Sequence, residues 1–123
     1  MVAGPGPRGM SADRRSAAAW TRGVQSQGVG TSLKHFVANN SEFDRNNTDS
    51  IVDERTLREI YLPAFKAAAQ EAKAHSFMGA YNKFRGEYLC ENDYMLNKVL
   101  RDEWGFEGIV ISDCAVDHTC FHC

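Results

Sequence analysis

No apolar stretch in this 123-residue sequence approaches the roughly 20 residues that a bilayer-spanning helix requires, which excludes a helical membrane span. Long runs of one charge sign are missing as well. The 14 basic and 16 acidic residues are interspersed and the net charge is −2, so nothing predicts nucleic-acid or membrane binding. The opening MVAGPGPRGMSADRR has no apolar signal-peptide core, and residues 1–15 are expected to form a disordered lead-in. No internal repeat or low-complexity tract is visible. Cysteine is scarce in the body: of four, only Cys90 lies there, while Cys114, Cys120 and Cys123 crowd the last ten residues. That crowding is unlike a disulfide framework that staples a whole domain.

What is present, 43% hydrophobic and 24% charged residues, fits one ordinary globular unit. Ser11–Gln27 has helical composition, stopped by Gly28 and Gly30. Val29–Phe36 reads as a short strand, and the polar stretch Asn39–Ser50 as a loop. Asp53–Ala74 is the clearest helix, with Leu57, Ile60, Ala64, Ala68 and Ala72 drawing one apolar stripe. Pro63 interrupts it and predicts a kink or two consecutive helices, with Ser50 and Asp53 as candidate caps. His75–Tyr81 is a second strand, Asn82–Glu91 a polar turn, Asp93–Trp104 a further helix closed by Gly105, and Phe106–Asp113 a third strand. Strands joined by helices imply parallel pairing and right-handed crossovers. The β-branched run Ile109-Val110-Ile111 further predicts a strand buried on both faces.

A parallel array puts its strand C-termini on one face, where α/β folds place their chemistry. Here those ends carry Lys34-His35, then Met78 and Tyr81, then Ser112-Asp113. A cation, an imidazole, a phenol and a carboxylate together suit a polyhydroxylated ligand, the aspartate being able to accept hydrogen bonds, accept a proton or attack carbon. From the residues alone, Arg45 can equally pair with Glu42 or Asp44 in a solvated loop.

Four blocks, LKHFVANNSEFDR (33–45), DERTLREIYLPAFKAA (53–68), FMGAYNKFRGEYLCEN (77–92) and LRDEWGFEGIVISD (100–113), resemble the catalytic domain of glycoside hydrolase family 3, in its β-glucosidase-like members. The resemblance covers residues 16–113 and implies an α/β fold, a partial (β/α)8 TIM barrel of about three consecutive βα units with parallel strands. A whole barrel, at about 250 residues, needs about twice this length. It also implies that Asp113 is the nucleophile of a retaining double displacement. Lys34 and His35 match the pair that grips sugar hydroxyls, Arg45 a sugar-binding arginine, and Met78 and Tyr81 residues lining the same subsite. No cofactor is implied; the expected ligands are β-linked glucosides or related oligosaccharides.

The family's tryptophan after the nucleophile stands here as Cys114, and residues 114–123 diverge. Glu42, Glu54, Glu87 and Glu91 are available carboxylates, but none matches the family's general acid/base, which comes from a later domain. The chain alone is therefore expected to be inactive, with self-association through exposed barrel edges. Two alternatives from other classes are a non-catalytic sugar-binding or partner-binding remnant, and a zinc-binding tail using Cys114, His118, Cys120, His122 and Cys123.

Overall fold

The computed structural model describes residues 7–113. The divergent tail 114–123, with its candidate zinc ligands, and the first six residues of the expected lead-in lie outside the described residues. Along the chain run α1 (Pro7–Gln25), β1 (Ser32–Phe36), β2 (Asp49–Ser50) and α2 (Glu54–Thr56), which continues through a π turn (Leu57–Tyr61) into α3 (Pro63–Gln70). Then follow β3 (Ser76–Gly79), β4 (Lys83–Phe84), β5 (Glu87–Tyr88), a 3-10 turn (Leu89–Glu91), the π-wound helix α4 (Tyr94–Glu103) and β6 (Ile109–Ser112).

The main sheet has the order β1-β3-β6, all parallel, so β3 is the middle strand. Phe77 pairs with Val110, Met78 with Ile111 and Gly79 with Ser112. Strand side chains alternate between faces. One face presents Phe36, Phe77 and Val110 to a core completed by Leu57, Leu62, Ala68, Val99, Leu100, Trp104 and Phe106 from the helices and loops. Its aromatic centre is a stack: the Phe77 and Phe106 rings lie 4.7 Å apart and parallel within 1°, and Phe36 stacks on the other side of Phe77 at 5.7 Å. Burying each such ring contributes on the order of 2–3 kcal/mol.

The opposite face is not covered. Ile109 is 65% and Ile111 37% exposed, which corrects the expectation of a strand buried on both sides. Within these residues helices pack on one side of the sheet only, so the β-branched run alternates between core and solvent.

Helix breaks follow backbone chemistry. Asp53 Oδ1 accepts from the Thr56 amide at 2.9 Å, as a cap should. Ser50 does not cap: it sits in β2 and its hydroxyl donates to the Ala38 carbonyl. Pro63 stands at the first turn of α3, where its missing N–H costs nothing, and the expected break lies just before it. For α4 the capping acceptor is Asn92, whose Oδ1 receives the Met95 amide, rather than Asp93. The first helix starts four residues earlier than expected, at Pro7, also a tolerated first-turn proline.

A second small sheet, β2-β4-β5, stands where a loop and a polar turn were expected. Two-residue strands leave no periodicity to read. The β4–β5 turn has positive φ at both Arg85 (53°) and Gly86 (93°), the geometry of a tight hairpin usually signalled by Asn-Gly. Arg85 is held there by its guanidinium, which donates to the Val52 carbonyl at 2.8 and 3.1 Å.

Gln25 locks the start of the sheet. Its amide donates to the Ala72 and Lys73 carbonyls, and its Oε1 accepts from Thr31 Oγ1 (2.8 Å) and the His75 amide (3.1 Å). Just above, small residues Ala18, Ala67 and Ala72 let α1 lie close on α3.

Candidate active site

The C-terminal ends of β1, β3 and β6 converge. His35 is the last residue but one of β1, before the buried Phe36, and Asp113 follows β6 directly. Adjacent strands lie about 4.8 Å apart, so β1 and β6 are separated by about twice that across β3. Even so, His35 Nε2 reaches Asp113 Oδ2 at 3.1 Å. The two side chains bridge over the middle strand, and the Asp113 side chain is only 12% exposed against 31% for His35.

The middle strand packs tightly on the core. A Cβ on Gly79, which pairs with Phe36 on one side and Ser112 on the other, would lie 2.6 Å from the sulfur of buried Cys90. The Gly79 backbone therefore rests directly on the core at the level of the bridge. The Lys34–His35 and Phe36–Val37 peptide bonds are cis, and the β1 register shifts between Leu33 and Phe36.

The loops after β1 and β3 bring together a second pair. The Arg45 guanidinium lies over the Tyr81 ring, 4.5 Å from its centroid, and its Nη1 donates to Glu42 Oε2 at 2.8 Å. Of the two loop partners that the residues left open, Arg45 pairs with Glu42, and it also reaches across to Tyr81, just beyond the end of β3. Buried Asn82, next to Tyr81, ties the two loops: its Nδ2 donates to Lys83 O (2.9 Å), Ser50 Oγ (3.2 Å) and Val37 O (3.4 Å). Nothing in the sequence marked Asn82 or Gly79 as supports, because both act through long-range packing.

Lys34 is exposed on β1, and Met78 is half-buried on the uncovered face opposite Ile111. The structure therefore gathers His35 with Asp113 and Arg45 with Tyr81, and leaves Lys34 reaching into solvent. Among the described residues, no group of three or more His, Cys, Asp or Glu side chains is placed to hold a metal ion.

A separate ion-pair network links the helices. Arg58 donates to Glu103 at 2.7 Å through both terminal nitrogens and to Glu54 through Nε, while Tyr94 donates its hydroxyl to Glu54. Hydrogen bonds from Tyr94 and then Arg58 hold Glu54 below the usual carboxylate range, and Arg58 does the same to Glu103. Burial, and then its bond to Glu54, pushes the Tyr94 phenol up. This network ties α2 to α4 on the outer surface and plays no part at the strand ends.

A family model described as "Glycosyl hydrolase family 3 N terminal domain" matches residues 5–122. The chain belongs to glycosyl hydrolase family 3. Family relatives include a β-glucosidase from Rhizobium radiobacter, 54% identical over 103 residues, covering 84% of this chain and 13% of the relative. An exo-α-(1→6)-L-arabinopyranosidase from Bifidobacterium breve is also 54% identical, over 78% of the chain and 13% of its own length. Among solved family 3 structures, β-glucosidase 3B from Thermotoga neapolitana with glucose is 56% identical with a TM-score of 0.76, covering 78% of this chain and 13% of that one. The Bifidobacterium adolescentis family 3 β-glucosidase is 48% identical with a TM-score of 0.83, covering 87% and 16%. The chain thus spans about an eighth of the length of the curated relatives it matches. Its fold is part of a (β/α)8 barrel, with β1, β3 and β6 as neighbouring barrel strands.

Proposed function

We propose that this chain carries the nucleophile and part of the sugar-binding subsite of a retaining β-glycosidase, β-glucosidase-like, acting on terminal non-reducing β-D-glucosyl residues. The observation that carries the reading is the contact between His35 Nε2 and Asp113 Oδ2 at 3.1 Å. It joins a largely enclosed carboxylate to a hydrogen-bond donor at the barrel end where such folds do chemistry.

In this reading an Asp113 oxygen attacks the anomeric carbon as the glycosidic C–O bond breaks, giving a glycosyl ester on Asp113. The leaving oxygen takes a proton from a general acid about 5–5.5 Å from the nucleophile. We assign that acid to parts of a full-length family 3 enzyme outside the matched segment. Water then attacks the anomeric carbon, losing its proton to the same group, and the bond from that carbon to the Asp113 oxygen breaks, releasing the carboxylate. His35 orients the carboxylate before sugar arrives and, with Lys34, Arg45 and Tyr81, offers donors to sugar hydroxyls. Met78 supplies an apolar wall.

Relatives named for glucose and for arabinopyranose release are equally identical to this segment, at 54%. Sugar choice is accordingly assigned to residues outside it. The nucleophile can be tested without the acid, using a 2-deoxy-2-fluoro-β-glucoside with a dinitrophenolate leaving group, which departs unprotonated. In the full-length protein one fluoroglucosyl mass should appear on the peptide containing Asp113 and vanish in Asp113→Asn. Label on another carboxylate, or an unlabelled Asp113, overturns the assignment.

A further inference from the structure

We infer that Glu42 is a positioning residue for sugar binding, acting through Arg45; this rests on the subsite reading above. Arg45 is held from two directions. Its planar fork lies over the Tyr81 ring at 4.5 Å, and its Nη1 is anchored to Glu42 Oε2 at 2.8 Å. An arginine side chain has several free torsions, so stacking alone leaves its fork free to rotate in the ring plane. A second contact at one terminal nitrogen sets that rotation, and the guanidinium has further N–H donors to offer a ligand.

The loop that carries both residues is braced independently of them. Thr48 Oγ1 donates to the Phe43 and Asp44 carbonyls (3.1 and 2.9 Å), and Asn47 Nδ2 donates to Asp44 Oδ1 at 2.8 Å. The amides of Asn47 and Thr48 both donate to the Asp44 carbonyl at 2.9 Å. Glu42 and Arg45 therefore keep their spacing whether or not they are paired. The Glu42 side chain is 71% exposed, and an ion pair so exposed contributes little to folding. Its consequence is where it holds Arg45, over the Tyr81 ring.

The test is glucose binding to the full-length protein by titration calorimetry, with kcat and KM for an aryl β-glucoside as a parallel readout. Glu42→Ala should weaken glucose about three- to five-fold, within what one exposed pair can supply. KM should rise by a similar factor with kcat nearly unchanged, and the melting temperature should stay the same. Glu42→Gln, which keeps an oxygen acceptor for Nη1, should recover most of the loss. In an Arg45→Ala background, Glu42→Ala should add nothing. Unchanged affinity in Glu42→Ala, or an undiminished loss in the Arg45→Ala background, overturns the inference. If Arg45→Ala itself leaves glucose affinity untouched, the subsite reading fails first, and that result is distinct from the other two.

Discussion

The two faces of the main sheet are built from the same kinds of residue and meet opposite environments. Val110 is 7% exposed, while its neighbours Ile109 and Ile111 on the same strand are 65% and 37% exposed. On the helix side, Phe36, Phe77 and Phe106 form a continuous aromatic stack. On the other side, Met78 and the two isoleucines form an apolar strip. In a closed (β/α)8 barrel that strip is interior, filled by layers of β-branched side chains. The difference teaches that apolar content states which faces are written for burial, whereas actual burial depends on which layers are present. It also separates stability from function: the core face holds the fold, and the strand ends above the uncovered face hold the candidate chemistry.

The largest expected effect tests this asymmetry in the 123-residue chain. Phe77→Ala should cost about 3–5 kcal/mol in denaturant unfolding, because it empties the centre of the ring stack. Ile109→Ala, on the uncovered face of the neighbouring strand, should stay within about 0.5 kcal/mol. Similar losses for both would break the comparison. A mid-sized effect sharpens it at the middle strand. Gly79→Ala pushes a methyl group against the Cys90 sulfur and should cost about 1–3 kcal/mol. Cys90→Ala should restore much of that in the double variant, since the new methyl then occupies the vacated space. Additive losses would show that the strain lies in the backbone instead.

The smallest effect concerns the outer network. Arg58→Ala removes the bonds to Glu54 and Glu103 and should cost about 1 kcal/mol at pH 7, the groups being partly exposed. Both carboxyls titrate below their ordinary value in the folded chain. Their contribution is therefore present above the ordinary carboxylate pKa and is lost as pH falls through the lowered folded value. The gap between the native and Arg58→Ala chains should close on acidification from pH 5 toward pH 3. A gap that persists at pH 3 would show that Arg58 acts through packing of its stem.

Much of this architecture was legible in the residues. Three strands alternating with helices, the break at Pro63 and the Asp53 cap all follow from local rules that the chain obeys. The β2-β4-β5 sheet was not legible, because two-residue strands carry no period and Arg85-Gly86 is an unusual tight-turn pair. Arg85 adopts it with the help of the Val52 carbonyl, more than thirty residues away. The cap of α4 carried no decisive local signal, since Asn92 and Asp93 are both good caps, and in the fold Asn92 Oδ1 accepts from the Met95 amide.

By itself, the sequence determined the family, the parallel order of the strands and which residues stand at their C-terminal ends, because periodicity and four matched blocks are properties of the chain in one dimension. Only the tertiary structure decided which of those residues meet. His35 and Asp113 are 78 positions apart in the sequence and 3.1 Å apart in space, bridging over the middle strand that lies between β1 and β6. Arg45 likewise joined Glu42 and Tyr81 at once, a choice set by the braced loop and the tie through Asn82. Distances across a sheet depend on packing between segments remote in sequence, which no local pattern encodes.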